Sequence, residues 1–189
     1  MRLLVRNLHF GSHDESEKVM AFLTNPSERY QVSYLEALQE FQAEGRHLEL
    51  SLEEVAASFG DFVQHLREQA DRAKIKPGRV PNWHFWFIDG DDYIGRLILR
   101  SELNEHLLQI GGHMGYDIRP SRRRQGYGKL ILKYGLERAK AFGLERVLLT
   151  CDEDNLASRR IIGSHGGMLE NIIEVEQWPA KVCHYWIHL

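Results

Sequence analysis

The sequence predicts an α/β fold of the α+β kind, a mixed sheet flanked by helices, and three observations predict it. Helix-start signatures occupy the first third of the chain. A β-hairpin follows the clearest internal break. Between Leu107 and Cys151 the order is then strand, glycine-rich turn, helix, strand, which is that of a β-α-β unit.

After a short apolar opening, "RLLVR", two S-x-x-E sequences read as capping boxes, Ser33 with Glu36 and Ser51 with Glu54. Behind the second, Val55, Phe59, Phe62, Val63 and Leu66 recur at helical spacing, with Glu68, Gln69 and Arg72 on the other side, predicting an amphipathic packing helix. Pro77, Gly78 and Pro81 in "KIKPGRVPN" stop it. "WHFWFID" and "YIGRLILRS", rich in aromatic and branched residues and joined by "GDD", read as a hairpin. "LLQIGGHMGYDIR" reads as a third strand, in which Gly111, Gly112 and Gly115 suit a bulge that re-aims the chain or a weak strand with close packing above it. The next helix has a polar stripe of Lys129, Lys133, Glu137 and Lys140, is otherwise largely apolar, and ends at Gly143. "ERVLLTC" continues as a nearly unbroken apolar strand, "NLASRRIIGSHGG" as a helix ending in glycines, and "KVCHYWIHL" as a last strand.

At 189 residues, a single domain spanning 1–189 is expected, large enough to bury a core without staples. Hydrophobic residues at 43% and charged residues at 27% exclude disordered and fibrous classes. With 24 Lys and Arg against 27 Asp and Glu, the net charge of −3 gives no electrostatic footprint for nucleic acid. There is no signal-peptide-like apolar segment and no long apolar run, so a cytoplasmic location is expected, with Cys151 and Cys183 reduced and no membrane partner. The 10 histidines do not fall at metal-ligand spacing, and no metal is expected.

The stretch "RRRQGYGK" puts cations and glycines directly before a helix, where unpaired main-chain donors and the positive end of the helix dipole favour an anion. A solvated basic loop is the plain alternative. The P-loop pattern fails because Lys129 is followed by Leu130, and the dinucleotide fingerprint fails at Ile131. What remains is R-x-x-G-x-G, Arg123 to Gly128. It lets the N–H groups of Arg124, Gln125, Gly126, Tyr127 and Gly128 converge on one anion, with Arg123, Arg124 and Lys129 adding charge-assisted contacts and Arg122 facing solvent.

This motif, followed by an apolar helix, a strand ending "LLTCD" and "NLASRRIIGSHGG", resembles the acyl-CoA signature of the GNAT N-acetyltransferase superfamily over residues 83–189. The resemblance implies a mostly antiparallel sheet with a splay between two central parallel strands. It implies acetyl-CoA as donor and direct transfer, in a ternary complex, to a primary amine of a small molecule or peptide; a homo-oligomer is compatible with it. Residues 83–189 then form the sheet and acetyl-CoA-binding core and residues 1–82 an acceptor-side part. Tyr116, Ile118 and Arg119 supply the strand edge that pairs with the pantetheine arm, the Ile118 N–H polarises the thioester, and Asn155 and Ser158 contact the cofactor or a water, with plain helix capping by Asp154 or Asn155 as the alternative. Two departures stand out. Ile162 replaces the tyrosine that in many relatives protonates the leaving thiolate, and Gly167 replaces a closing aromatic residue. The departures motivate a second reading, a CoA-binding regulatory or interaction module with little chemistry. Candidate bases are His113 and Glu102, with His106 beside it, and candidate acids are Tyr116 and Tyr185. Trp83, Trp86 and Trp178 either line the acceptor site or belong to the core.

Overall fold

A computed structural model describes residues 20–189, so the apolar opening "RLLVR" lies outside the described residues. Seven strands, β1 (Phe22–Thr24), β2 (Trp83–Asp89), β3 (Asp92–Leu99), β4 (Met114–Ile118), β5 (Arg146–Asp152), β6 (Met168–Ile173) and β7 (Val182–His188), form one sheet in the order β1-β2-β3-β4-β5-β7-β6. Every pairing is antiparallel except β4 with β5, which are parallel and paired only at Met114 and Leu149. Helices α1 (Gln31–Ala43), α2 (Leu52–Ala57) and α3 (Phe59–Glu68) cover one face, and α5 (Tyr127–Ala141) packs on the other. The short α4 (Glu105–Gln109) precedes β4, and α6 (Leu156–Ser164) follows β5.

Each face has its own core, because the strands alternate side chains between them. Leu97, Leu99, Met114, Ile131 and Leu132 fill the side under α5. Tyr34, Phe59, Val63, Trp86 and Tyr93 fill the side under α1 and α3, with Tyr34 stacked on Trp86 at a centroid distance of 4.9 Å. Trp86 is therefore core, and Trp83 packs on Phe142.

Several expectations are corrected. Ser33 does not cap a helix. The helix begins earlier, after a 3-10 turn capped by Ser27, so Ser33 lies inside α1, where its Oγ accepts from the Tyr93 N–H and from Arg119. Ser51 does cap α2, accepting from the Glu54 N–H at 3.2 Å, but the chain breaks at Ser58 and the expected long helix becomes α2 and α3. Ser51→Ala should cost about 1 kcal/mol in a urea titration. The predicted third strand begins only at Met114, because Leu107 and Leu108 belong to α4. Gly111 and Gly112 do not form a bulge in β4. They are turn residues at φ +103° and +59°, and a Cβ on Gly112 would lie 2.3 Å from the Leu148 carbonyl oxygen, so glycine there lets the two parallel strands meet. The register shifts of the sheet lie instead between Phe87 and Ile88 of β2 and between Leu169 and Asn171 of β6.

Candidate active site

Beyond Met114 and Leu149, β4 and β5 part. The His113 C=O and Arg119 N–H bond to Arg100 and Ile94 on the β3 side, each at 2.8 Å. Main-chain groups alternate along a strand, so Tyr116 and Ile118 turn theirs into the gap. Arg119 does not belong to that edge. Its main chain faces β3, and its guanidinium is held by Glu40 at 2.7 Å, Glu36 at 3.1 Å and Ser33 at 3.1 Å on α1.

The loop entering α5 is curled. Arg124 at φ +62° and Gly126 at φ +89° curl the chain, and the first N–H groups bonded to the helix are those of Lys129 and Leu130, both to the Gly126 carbonyl. The five N–H groups from Arg124 to Gly128 have no hydrogen-bond acceptor among the described residues. They add to the positive end of the α5 dipole. Gly128 packs closely on α6, since a Cβ there would stand 2.7 Å from the end of the Ile161 side chain, which would have to swing aside.

The side chains of the loop serve different ends. Arg123 is bidentate to Glu44, at 2.9 and 2.7 Å, and its Nε donates to the Ile118 carbonyl, tying the loop to α1 and β4. Gln125 donates back to the Ser121 carbonyl, and the Tyr127 hydroxyl turns into the protein to donate to Asp89 at 2.6 Å. Arg122 pairs with Asp92. Arg124 and Lys129 stay on the wall of the cleft.

That cleft has a volume of about 830 Å³ and opens between the loop, the parted strands and α6. Arg160 also lines it, a cation the sequence reading missed although Ala157, Arg160 and Ile161 share one helical face by their i, i+3, i+4 spacing. A recess of about 220 Å³ continues it, sharing Tyr116, Asp152, Asn155 and Ser158 and adding Cys151 and Trp178. Asn155 caps α6, accepting from the Ser158 N–H at 3.1 Å, and the Ser158 hydroxyl lies 3.4 Å from the Tyr116 hydroxyl. Burial raises the Tyr116 phenol to about 12 and the Cys151 thiol to about 11, so both hold their protons near neutral pH. Ile162 is 1% exposed and borders the recess with no proton to offer.

Of the four candidate catalytic residues only Tyr116 lies on the cleft. His113 is structural. Its Nδ1 accepts from the Leu148 N–H at 2.9 Å, its ring packs 6.0 Å from that of Trp186, and burial lowers its pKa. Glu102 follows the Leu99 end of β3, opposite the end at which the strands part, and pairs with Arg72. His106 is exposed on α4. The Tyr185 hydroxyl accepts from Arg159 at 3.1 Å, and the residue is core. Trp178 reaches the recess, and its Nε1 donates to Asp152 at 2.8 Å.

Asp117 occupies the α1 side of the same strand. Its Oδ2 accepts from Arg96 and His47, each at 3.1 Å, with Arg46 at 3.6 Å, while Oδ1 has no partner among the described residues. Burial opposes its charge, but Arg96, His47 and Arg46 outweigh it and the carboxyl is held below its ordinary range. The cluster fixes the α1–α2 connection, which carries Arg46 and His47, against the cleft wall.

Residues 13–168 match the family described as the acetyltransferase (GNAT) domain, which is most of the chain. The chain belongs to the GNAT acetyltransferases. Comparison with curated proteins gave no significant match. Among solved structures, this GNAT fold is similar to an acetyl transferase of Salmonella typhimurium that modifies the N-terminal serine of a 50S ribosomal subunit protein, at a TM-score of 0.65 and 17% identity over 89% of this chain and 95% of the other. It is similar to Mycobacterium smegmatis RimJ, solved with CoA-disulfide, at a TM-score of 0.66 and 20% identity over 89% and 81%. It is also similar to yncA of Salmonella typhimurium, solved with its cofactor acetyl-CoA, at a TM-score of 0.56 and 10% identity over 89% and 94%.

The residues of this GNAT site fit acetyl-CoA. The unpaired N–H groups from Arg124 to Gly128 match a pyrophosphate, and Arg124, Lys129 and Arg160 are cations placed for phosphate oxygens. The main chain of Tyr116 and Ile118 offers a strand edge to an extended amide-bearing arm.

Proposed function

We propose that this protein is an acetyl-CoA-dependent N-acetyltransferase that moves an acetyl group to a primary amine by direct transfer in a ternary complex. The observation that carries the reading is the run of five unpaired N–H groups opening onto a cleft between two parted parallel strands. Acetyl-CoA supplies an acetyl group already activated as a thioester. The residues Arg124 to Gly128 bind through their main chain, Arg124, Lys129 and Arg160 through charge, and Tyr116 and Ile118 orient the arm. The Ile118 N–H polarises a carbonyl oxygen, and Tyr116 holds a proton at its hydroxyl beside Ser158. The helical part below residue 83 contributes Glu44 and Arg46 to the cleft.

The acceptor class we infer is a protein or peptide amino group, supported by the similar Salmonella protein that modifies an N-terminal serine. No helix among the described residues is long and apolar enough to cross a membrane. The second reading, a CoA-binding module without turnover, rests on Ile162.

Gly126→Val should weaken acetyl-CoA binding at least tenfold, about 1.4 kcal/mol, because a β-branched residue does not sit at φ +89° and the N–H cradle must open. Calorimetry on a variant shown to be folded checks this, and unchanged affinity would remove the loop from the site. Release of CoA thiol in the presence of peptides with free amino termini tests transfer itself. Binding without release would favour the module.

A further inference from the structure

We propose that Asp152 and Trp178 form an ammonium subsite that receives the acceptor amine, which makes the acceptor a cationic primary amine; the inference rests on the transferase reading for its place in a reaction. Three carboxylates line the cleft, and their partners separate them. Glu44 is bidentate to Arg123, and Asp117 is held by Arg96, His47 and Arg46. Asp152 has no cationic partner among the described residues.

Asp152 also has the right position. It ends β5 where the strands part, and it lines both the main cleft and the smaller recess. The Trp178 indole N–H donates to Oδ1 at 2.8 Å, which anchors the carboxylate, while Oδ2 has no donor among the described residues and faces the recess as an acceptor. Trp178 is itself 43% exposed, with its indole edge held against that carboxylate. An anchored carboxylate beside a half-exposed indole suits an alkylammonium group, which donates charge-assisted hydrogen bonds to the first and makes a cation–π contact with the second. The charges of the cleft agree with this division. Arg124, Lys129 and Arg160 stand on the side fitted for an anionic donor, and the carboxylate without a cation stands at the recess. Beside it, Gly115 has no atom within 4 Å of where a Cβ would stand, which leaves room for the substituent that carries the amine.

The direct test is NMR observation of the Trp178 indole N–H resonance, assigned by its disappearance in Trp178→Phe. An alanine dipeptide amide with a free amino terminus is titrated against its N-acetylated form. The free amine should move the resonance saturably and the acetylated form should not, and Asp152→Asn should weaken the response at least tenfold. No response to the free amine, or an equal response to both peptides, overturns the subsite. Where thiol release is measured, Asp152→Asn should raise the KM for the amine at least tenfold and leave acetyl-CoA affinity unchanged, and an unaltered KM overturns the subsite as well. An NMR response without thiol release would support the subsite and sink the transferase reading, so the two failures are told apart.

Discussion

Asp117→Asn is expected to destabilise the fold by about 3 kcal/mol at neutral pH, measured by urea unfolding. The side chain of Asp117 is 6% exposed and that of Arg96 is 26% exposed, so the substitution leaves a largely buried guanidinium facing a neutral amide. Removing one partner of a buried pair costs about 3–5 kcal/mol, and the lower end applies because Arg96 keeps some contact with water. The pH dependence has a definite sign. The folded-state pKa of Asp117 is depressed, so its contribution is full above the unfolded carboxyl value of about 3.9 and is lost as pH falls through the lower folded value. Wild type and variant should therefore differ by a constant amount above about pH 5 and converge in stronger acid. His84, held down to about 4 by burial, acts in an earlier window, lost between about pH 6.5 and 4, and the variant should retain that loss. A difference that does not narrow in acid would mean that the ion pair is not its source.

Asp117 also shows where sequence reading ends. The loop from Arg123 to Gly128 was legible because its donors are consecutive in the chain and its requirement for glycine is local. The partners of Asp117 lie 21 and 70 residues away, on β3 and in the α1–α2 connection, and no local pattern announces them. Asp152 carries no local signal in the sequence, since its distinction is the lack of a cation among the described residues, a property of three dimensions. The strands that were missed have similar causes. β1 is only three residues long, and β6 exposes nearly its whole length at the sheet edge, so neither shows alternation. α4 hides behind Leu107 and Leu108, a pair that suits a strand, although only Leu107 is buried. His113 had the right chemistry for a base and the wrong neighbours, since the parallel junction at Gly112 holds its ring against Leu148.

Tyr116→Phe should lower the rate of thiol release by about 10²-fold, about 2.7 kcal/mol, while leaving acetyl-CoA affinity unchanged. The ring remains and so does its packing; what is removed is a hydroxyl in the recess, 3.4 Å from Ser158. With its phenol raised to about 12, Tyr116 is protonated at working pH. A CoA thiol resembles a free cysteine at about 8.5, so complete transfer of the proton from the phenol runs uphill by roughly 3 to 4 units. In the proposed reaction Tyr116 would therefore serve as a hydrogen-bond donor to developing negative charge rather than as an acid that is consumed, and losing one such donor typically costs about 10² to 10³ in rate. On that proposal the donor comes from β4 instead of α6, where Ile162 offers none. Cys151 is the competing proton holder on the same recess, and Cys151→Ala separates the two. Tyr185→Phe should leave the rate within about twofold, because that hydroxyl is turned to Arg159 away from the cleft. A Tyr116→Phe enzyme as fast as wild type, with Cys151→Ala slowed, would move the donor to the thiol. If neither substitution slows release, the thiolate departs unaided, as its ordinary pKa permits.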